Sequence, residues 1–417
     1  MFQKFFRRGV VQYASAFFII MYWLSVKAQT DIEFWTISLS PTFDAYINET
    51  IALYEAQHPN VNIVWLDKTG EQIGFDLLNA VAGGYAPDVI NINVPMLLDY
   101  VEQDLILPIT GQFDERIYFE RLLSSLQIGN EMYGLPWYVT PPVVMKNRDL
   151  FARANVDVNT NVGTLEQLVN TATTIKQTTG VYGYYPNVLG QGMLYRFLEA
   201  GLPVLSEDGF TATFNSPQHV AFLEGQIQLL RQDIFPSEAL LTGYGGAIER
   251  YQSGNLAMLV TGPQFLTRIR ETSPQVYANT EVAPYPLGKG QLIHAPLMML
   301  SIPARSEHSR EGLEFALFVT SHERQVAFSR LTAIFPSTAE AATDPTFTTL
   351  PANPTPEDRA RSIIAQELQY AKDLTMNLPN NSDLFQYFQR QIEAAFFGYK
   401  TSQEALDDAV RFWNAKL

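Results

Sequence analysis

An α/β protein assembled from two domains is what this sequence predicts, and three observations predict it. The chain has 417 residues, more than one ordinary hydrophobic core serves. Hydrophobic residues make up 47% and charged residues 17%, a balance that buries a core and does not describe a disordered polymer. From residue 31 onward, strand-like and helix-like patterns alternate with short links, which is the signature of a sheet wrapped by crossover helices.

The elements follow in order. Ile32 to Ile37 alternates as a strand. Ser40-Pro41 reads as an N-cap followed by proline at the first helical position. Phe43, Ile47, Ile51 and Tyr54 then form one apolar helical face, stopped by His58-Pro59-Asn60. Val61 to Trp65 is the next strand, a helix covers Glu71 to Val81, and Asp88 to Ile92 is the third strand. Such parallel strands bind ligands beyond their carboxyl ends, here Ser38–Pro41, Leu66–Glu71 and Asn93–Pro95. Helical patterns dominate beyond Pro142, around 164–178, 191–200, 216–232 and 246–252. Leu256–Val260 and Pro296–Ile302 are strand-like, and a helix follows from Ser309 to Thr320. Thr343 to Pro356 is rich in Thr and Pro and reads as a surface loop. Thr401 and Glu404 form a capping box that opens a last helix with Leu406, Val410, Trp413 and Leu417 on its apolar face.

The first 28 residues differ from the rest. Lys4, Arg7 and Arg8 precede an apolar run from Val10 to Leu24, and Val26-Lys27-Ala28 offers a peptidase site, so a secretory signal cleaved after Ala28 is expected. The run is shorter than the roughly 20 residues of a spanning helix, although a retained anchor is the competing reading. Its removal takes away four cations and no acid, moving the formal net charge from −15 to −19. That surface repels phosphate backbones and anionic lipid, so neither nucleic acid nor broad membrane contact is expected. The chain has no cysteine, which rules out disulfides and thiolate chemistry and suits an oxidising compartment.

Catalytic and metal patterns are missing from the sequence. There is no G-x-S-x-G elbow, no P-loop and no H-E-x-x-H, and the five histidines (58, 219, 294, 308 and 322) read as surface or packing residues. Gly243-Tyr244-Gly245-Gly246 lacks the spacing of a dinucleotide fingerprint and reads as a loop. Among 43 acids a glycosidase pair stays open, but no acid stands in a hydrolase context. A non-enzymatic protein with no cofactor and no metal is expected.

Several segments, taken in order, carry a family resemblance: Phe34-Trp35-Thr36, Tyr54 to Val61, Gly83-Gly84-Tyr85-Ala86-Pro87-Asp88-Val89, Tyr133-Gly134-Leu135-Pro136-Trp137 and Asn147-Arg148-Asp149-Leu150-Phe151. Tyr251 to Met258, Ile302 to Ser306, Phe315 to Ser321 and Glu404 to Ala409 complete the set. With them the chain resembles the extracellular solute-binding proteins of ABC importers, specifically the sugar-binding family that includes maltodextrin-binding protein. It departs from the family where Gly262-Pro263-Gln264-Phe265 stands in place of Gly-Pro-Trp, and where Gly163-Thr164-Leu165 lacks a Trp. No lipobox cysteine is present, so the resemblance implies a free periplasmic form.

The resemblance implies a two-lobed periplasmic-binding-protein-like α/β fold with discontinuous lobes and about three hinge crossings, near Val139–Pro142, Leu292–Ala295 and Thr332–Ser337. The lobes would be 31–140 with 296–334, and 141–293 with 338–417. It also implies a monomer that captures a small solute, a sugar or oligosaccharide, and delivers it by hinge closure to the membrane subunits of an ABC permease. Aromatic faces suit sugar C–H surfaces, and amides or carboxylates suit hydroxyls. The candidate ligand residues are therefore Trp137, which either stacks on ligand or packs between the lobes, with Tyr138 and Phe335 at crossings. Trp35, Ser38, Glu71 and Asn93 stand at the rim of the first lobe, and Tyr185, Tyr244, Gln264 and Phe265 in the second. Alternatives are a polyamine, phosphorylated polyol or peptide as solute, a sensor-linked receptor, and a secreted carbohydrate-active enzyme.

Overall fold

The computed structural model describes residues 29–376, 378 and 381–417, so the expected signal segment lies outside the described residues. Its backbone is organised by two main sheets. The larger has six strands in the spatial order Val61–Lys68, Thr30–Ile37, Val89–Asn93, Leu297–Ser301, Leu135–Val139 and Phe335–Pro336. The first three are parallel, with Phe34 opposite both Trp65 and Val89. Leu297–Ser301 runs antiparallel to both of its neighbours, so the sheet is mixed, not wholly parallel. The cause is topological: that strand enters from the far side after a long excursion through residues 143–294, so its direction is not set by a crossover helix.

Val89–Asn93 lies inside this sheet, and all but Asn93 are buried. Asn91 is fully buried and spends an amide N–H on the carbonyl of Met299 at 3.0 Å. The second sheet is antiparallel, with Val143–Asn147 between Met258–Thr261 and Thr280–Ala283. All five residues of its central strand are buried. Only Thr140-Pro141-Pro142 separates the last strand residue of the first sheet from the first of the second. The Thr140 N–H donates to the Pro296 carbonyl at 3.1 Å, tying that passage to the return passage. Ile293–His294, just before the return, pairs with Ala371–Lys372 in a small parallel ladder.

Local chemistry sets most helix boundaries. Thr164 caps Leu165–Thr179, and Gly180 ends it at φ 74°, a left-handed position that favours glycine. The Thr401–Glu404 capping box opens Ser402–Asn414, whose buried face includes Leu406, Val410 and Trp413. Three expectations are corrected. Ser40 does not cap a helix: the Ser40–Pro41 peptide is cis, and the helix starts at Asp44. Thr343–Pro356 is not simply a surface loop. Asp344 caps a helical turn, Pro345–Thr348, and places Phe347 in the core, 4.7 Å from the ring of Phe335. Gly243-Tyr244-Gly245-Gly246 is not a loop either. It lies within the helical stretch Ala239–Gln252, which kinks at Gly243 where φ is 50° and ψ is −137°.

Candidate functional site

A cavity of about 450 Å³ opens where the two passages between sheets meet the second sheet, within the range typical of small-molecule sites. One wall is the passages themselves, contributing Thr140, Pro142, His294 and Pro296. A second is the helix Gly192–Glu199, whose Gly192, Tyr195, Arg196 and Glu199 follow the i, i+3, i+4, i+7 rule and share one face. Gly192 is required by crowding, since a Cβ there would lie 2.8 Å from the Asn187 carbonyl oxygen. That close approach brings Tyr184, Tyr185 and Asn187 to the same cavity.

The third wall comes from the kinked helix. Beyond Gly243 the helix turns Tyr244 and Ala247 toward the cavity. The Tyr244 ring meets Phe265 edge-on, with centroids 5.6 Å apart, and its hydroxyl hydrogen-bonds to Thr261. The Tyr185 hydroxyl shares a 2.7 Å hydrogen bond with Thr242. The fourth wall is the end of strand Met258–Thr261 and the turn after it, Gly262, Gln264 and Phe265. The Gln264 side chain folds over Gly262, where a Cβ would collide with it. Its buried Oε1 accepts no hydrogen bond among the described residues, leaving an acceptor at the cavity wall.

The floor carries the charge. The Tyr285 hydroxyl donates to the Glu199 carboxylate, 2.9 Å from either oxygen, and the His294 backbone N–H donates to Oε1 at 3.2 Å. Burial raises the Glu199 pKa, while the Arg196 charge and these donors oppose the rise. Burial, then the Glu199 carboxylate, holds the Tyr285 hydroxyl protonated. The His294 ring stacks on Tyr195 at 4.0 Å, and its Nδ1 accepts the Leu374 N–H at 3.2 Å. Burial lowers the pKa of His294 against the opposing charge of Asp373, so the neutral ring with its proton on Nε2 fits the site. No group of three or more metal-ligating side chains occurs among the described residues.

Of the candidates taken from the sequence, Tyr185, Tyr244, Gln264 and Phe265 line this cavity. The others stand elsewhere. Trp137 is fully buried, with Phe34, Tyr138 and Phe328 within 6.4 Å by ring centroid. Its strand runs between two others, and helices cover the sheet, so the side chain enters the core and not the cavity. Tyr138 packs edge-on against Phe328, and burial raises its hydroxyl pKa. Phe335 is buried against Phe347. Trp35 is also buried: its indole N–H bonds to Glu33, and the Lys68 ammonium lies 4.0 Å from its ring centroid. Asn93 is used as a helix cap, accepting the Met96 N–H at 3.0 Å. Ser38 and Glu71 are exposed at the carboxyl edge of the parallel strands, Ser38 with φ 52°. Asp88 braces a turn, accepting from Glu33 N–H, the Ser306 hydroxyl and His308 N–H.

Sequence reasoning missed Tyr184, Tyr195, Arg196, Glu199 and Tyr285, and it left His294 as an ordinary packing residue. The 192/195/196/199 spacing was visible as a helical face. Nothing local said that this face borders a cavity and not solvent.

Comparison with known proteins agrees with this architecture. Residues 49–355 match the family described as bacterial extracellular solute-binding protein. A solved structure from Synechococcus sp. MITs9220, described as a candidate oligosaccharide periplasmic-binding protein, is 28% identical. It superposes with a TM-score of 0.79 over 92% of this chain and 98% of that one. Maltose-bound MalE3 of T. maritima, 19% identical, shares the fold with a TM-score of 0.73 over 93% of this chain and all (100%) of that one. The sn-glycerol-3-phosphate-binding periplasmic protein of Pectobacterium atrosepticum is 25% identical, with 94% of this chain and 92% of its own length aligned. With the family match spanning most of the described residues, this chain belongs to the bacterial extracellular solute-binding protein family.

Proposed function

We propose that this protein is the solute-capturing component of an ABC importer and that its solute is a neutral sugar or short oligosaccharide. The observation that carries the reading is the cavity wall: Tyr184, Tyr185, Tyr195, Tyr244 and Tyr285 with Phe265, interspersed with Asn187, Gln264 and Thr261. Tyrosine offers a flat apolar face and a hydroxyl at low conformational cost, which suits a ring with C–H faces and equatorial hydroxyls. The description of the Synechococcus relative, which names an oligosaccharide, supports the same class.

In this reading the lobes are residues 31–140 with 296–334, and 141–293 with 338–417, and the protein acts as a periplasmic monomer after cleavage at Ala28. Solute settles first on the second lobe and the passages. Exposed rim residues of the first lobe, Ser38 and Glu71 among them, then come over it as the hinge closes. Closure follows only if the solute binds the closed state better than the open one. The permease would recognise the closed shape, and the protein itself would make no covalent change to its cargo.

A second reading, a phosphorylated polyol, is favoured by the full-length similarity to the glycerol-phosphate-binding relative and by Arg196 in the cavity wall. Thermal-shift screening of the chain from Gln29, followed by calorimetry, separates the two. Stabilisation by a mono- or oligosaccharide and none by sn-glycerol 3-phosphate is the expected result. Stabilisation by the phosphate ester alone overturns the sugar reading and leaves capture intact.

A further inference from the structure

Besides His294, Arg196 and Glu199 are the acidic and basic side chains that line the cavity among the described residues. They lie one turn apart on the same helical face yet form no ion pair within 4.0 Å, unlike the surface pairs elsewhere in the chain. Their surroundings differ. Glu199 is buried, and its two oxygens already accept from Tyr285 and from the His294 N–H. Burial and these two donors hold the carboxylate in place. Arg196 is half-buried, sits near the Tyr184 ring with its guanidinium carbon 5.9 Å from the centroid, and its buried Nε has no hydrogen-bond partner among the described residues. That Nε–H is an unspent donor.

We infer that Arg196 and Glu199 act together as a charge filter, with Arg196 donating to a neutral oxygen of the solute and Glu199 serving as a fixed counter-charge that excludes anions. The inference rests on the sugar reading and gives it its specificity. A single guanidinium would attract phosphate or carboxylate. A carboxylate one helical turn away, pinned in place, cancels most of that attraction and repels a bound anion at short range. A cationic solute meets the reverse problem, because Arg196 is the group that reaches the cavity. What remains favoured is an uncharged acceptor: a hydroxyl, ring oxygen or glycosidic oxygen. Specificity of this kind comes as much from repulsion as from attraction.

The test compares neutral hexoses and their di- and trisaccharides with the corresponding uronates, amino sugars and sn-glycerol 3-phosphate, by calorimetry on the chain from Gln29. The unsubstituted protein should prefer a neutral sugar over its uronate by on the order of tenfold or more, the effect of one partly screened unit charge. Glu199→Gln should bring the uronate to parity or better, and Arg196→Gln should shift preference toward the amino sugar. The two variants move in opposite directions, so instability of one does not remove the test. A neutral-to-uronate ratio unchanged in Glu199→Gln, with neutral sugar still bound, overturns the filter alone. Loss of binding to every sugar by the unsubstituted protein overturns the sugar reading and this inference with it.

Discussion

Glu367→Gln should release a pH-dependent strain beneath the cavity floor. Glu367 ends the helix Pro356–Glu367, and one carboxylate oxygen accepts the Tyr285 backbone N–H at 3.3 Å. Burial pushes its pKa from 4.5 up to about 7, against the opposing Tyr285 hydrogen bond. The negative end of the helix dipole adds to the reluctance of this carboxyl to ionise. A raised folded-state pKa means that the folded protein holds the proton more tightly than the unfolded chain. Stability from this group is then fully present below 4.5 and is lost as pH climbs through about 7. At about 1.36 kcal/mol per pH unit, that interval integrates to about 3 kcal/mol. Gln imitates the protonated acid and does not titrate. Guanidinium unfolding of both proteins between about pH 4.5 and 8 should give equal stabilities at the acid end, with Glu367→Gln ahead by about 3 kcal/mol at the alkaline end. Parallel stability profiles, or a variant that loses ground as pH rises, would refute the argument.

Three further outcomes are expected. Trp137→Ala should cost about 3–5 kcal/mol in denaturant unfolding, because a fully buried indole among Phe34, Tyr138 and Phe328 leaves a cavity behind; a near-neutral value would place the ring outside the core. Tyr244→Ala should weaken sugar binding about 3- to 10-fold in calorimetry, the equivalent of one lost aromatic contact, with little change in unfolding midpoint; unaltered affinity would remove this ring from the site. Thr401→Ala deletes the hydroxyl that accepts the Glu404 N–H at 3.2 Å and should cost about 1 kcal/mol in thermal unfolding.

Much of the fold was legible because its determinants are local. The 2-residue alternation of Ile32–Ile37, the 3.6-residue spacing of Phe43, Ile47, Ile51 and Tyr54, and the Thr401–Glu404 box each act within one or two turns of chain. Where local signals misled, a distant partner had intervened. Phe347 makes a Thr- and Pro-rich stretch part of the core because Phe335 waits for it, and Trp137 leaves the site for the aromatic cluster around Phe328.

The sequence by itself determined the class of the protein: an α/β alternation, no cysteine chemistry, and an ordered set of segments that places it among solute-binding proteins. Only the tertiary structure decided which aromatic residues face a cavity and which fill the core. Tyr195, Arg196 and Glu199 reach the site from one helix, Tyr285 and His294 from segments about 90 to 100 residues later, and Thr140 from the first passage. Periodicity tells a helix that it has an apolar side. Which element, or which solute, lies against that side is set by how distant segments pack, and no local pattern contains that information.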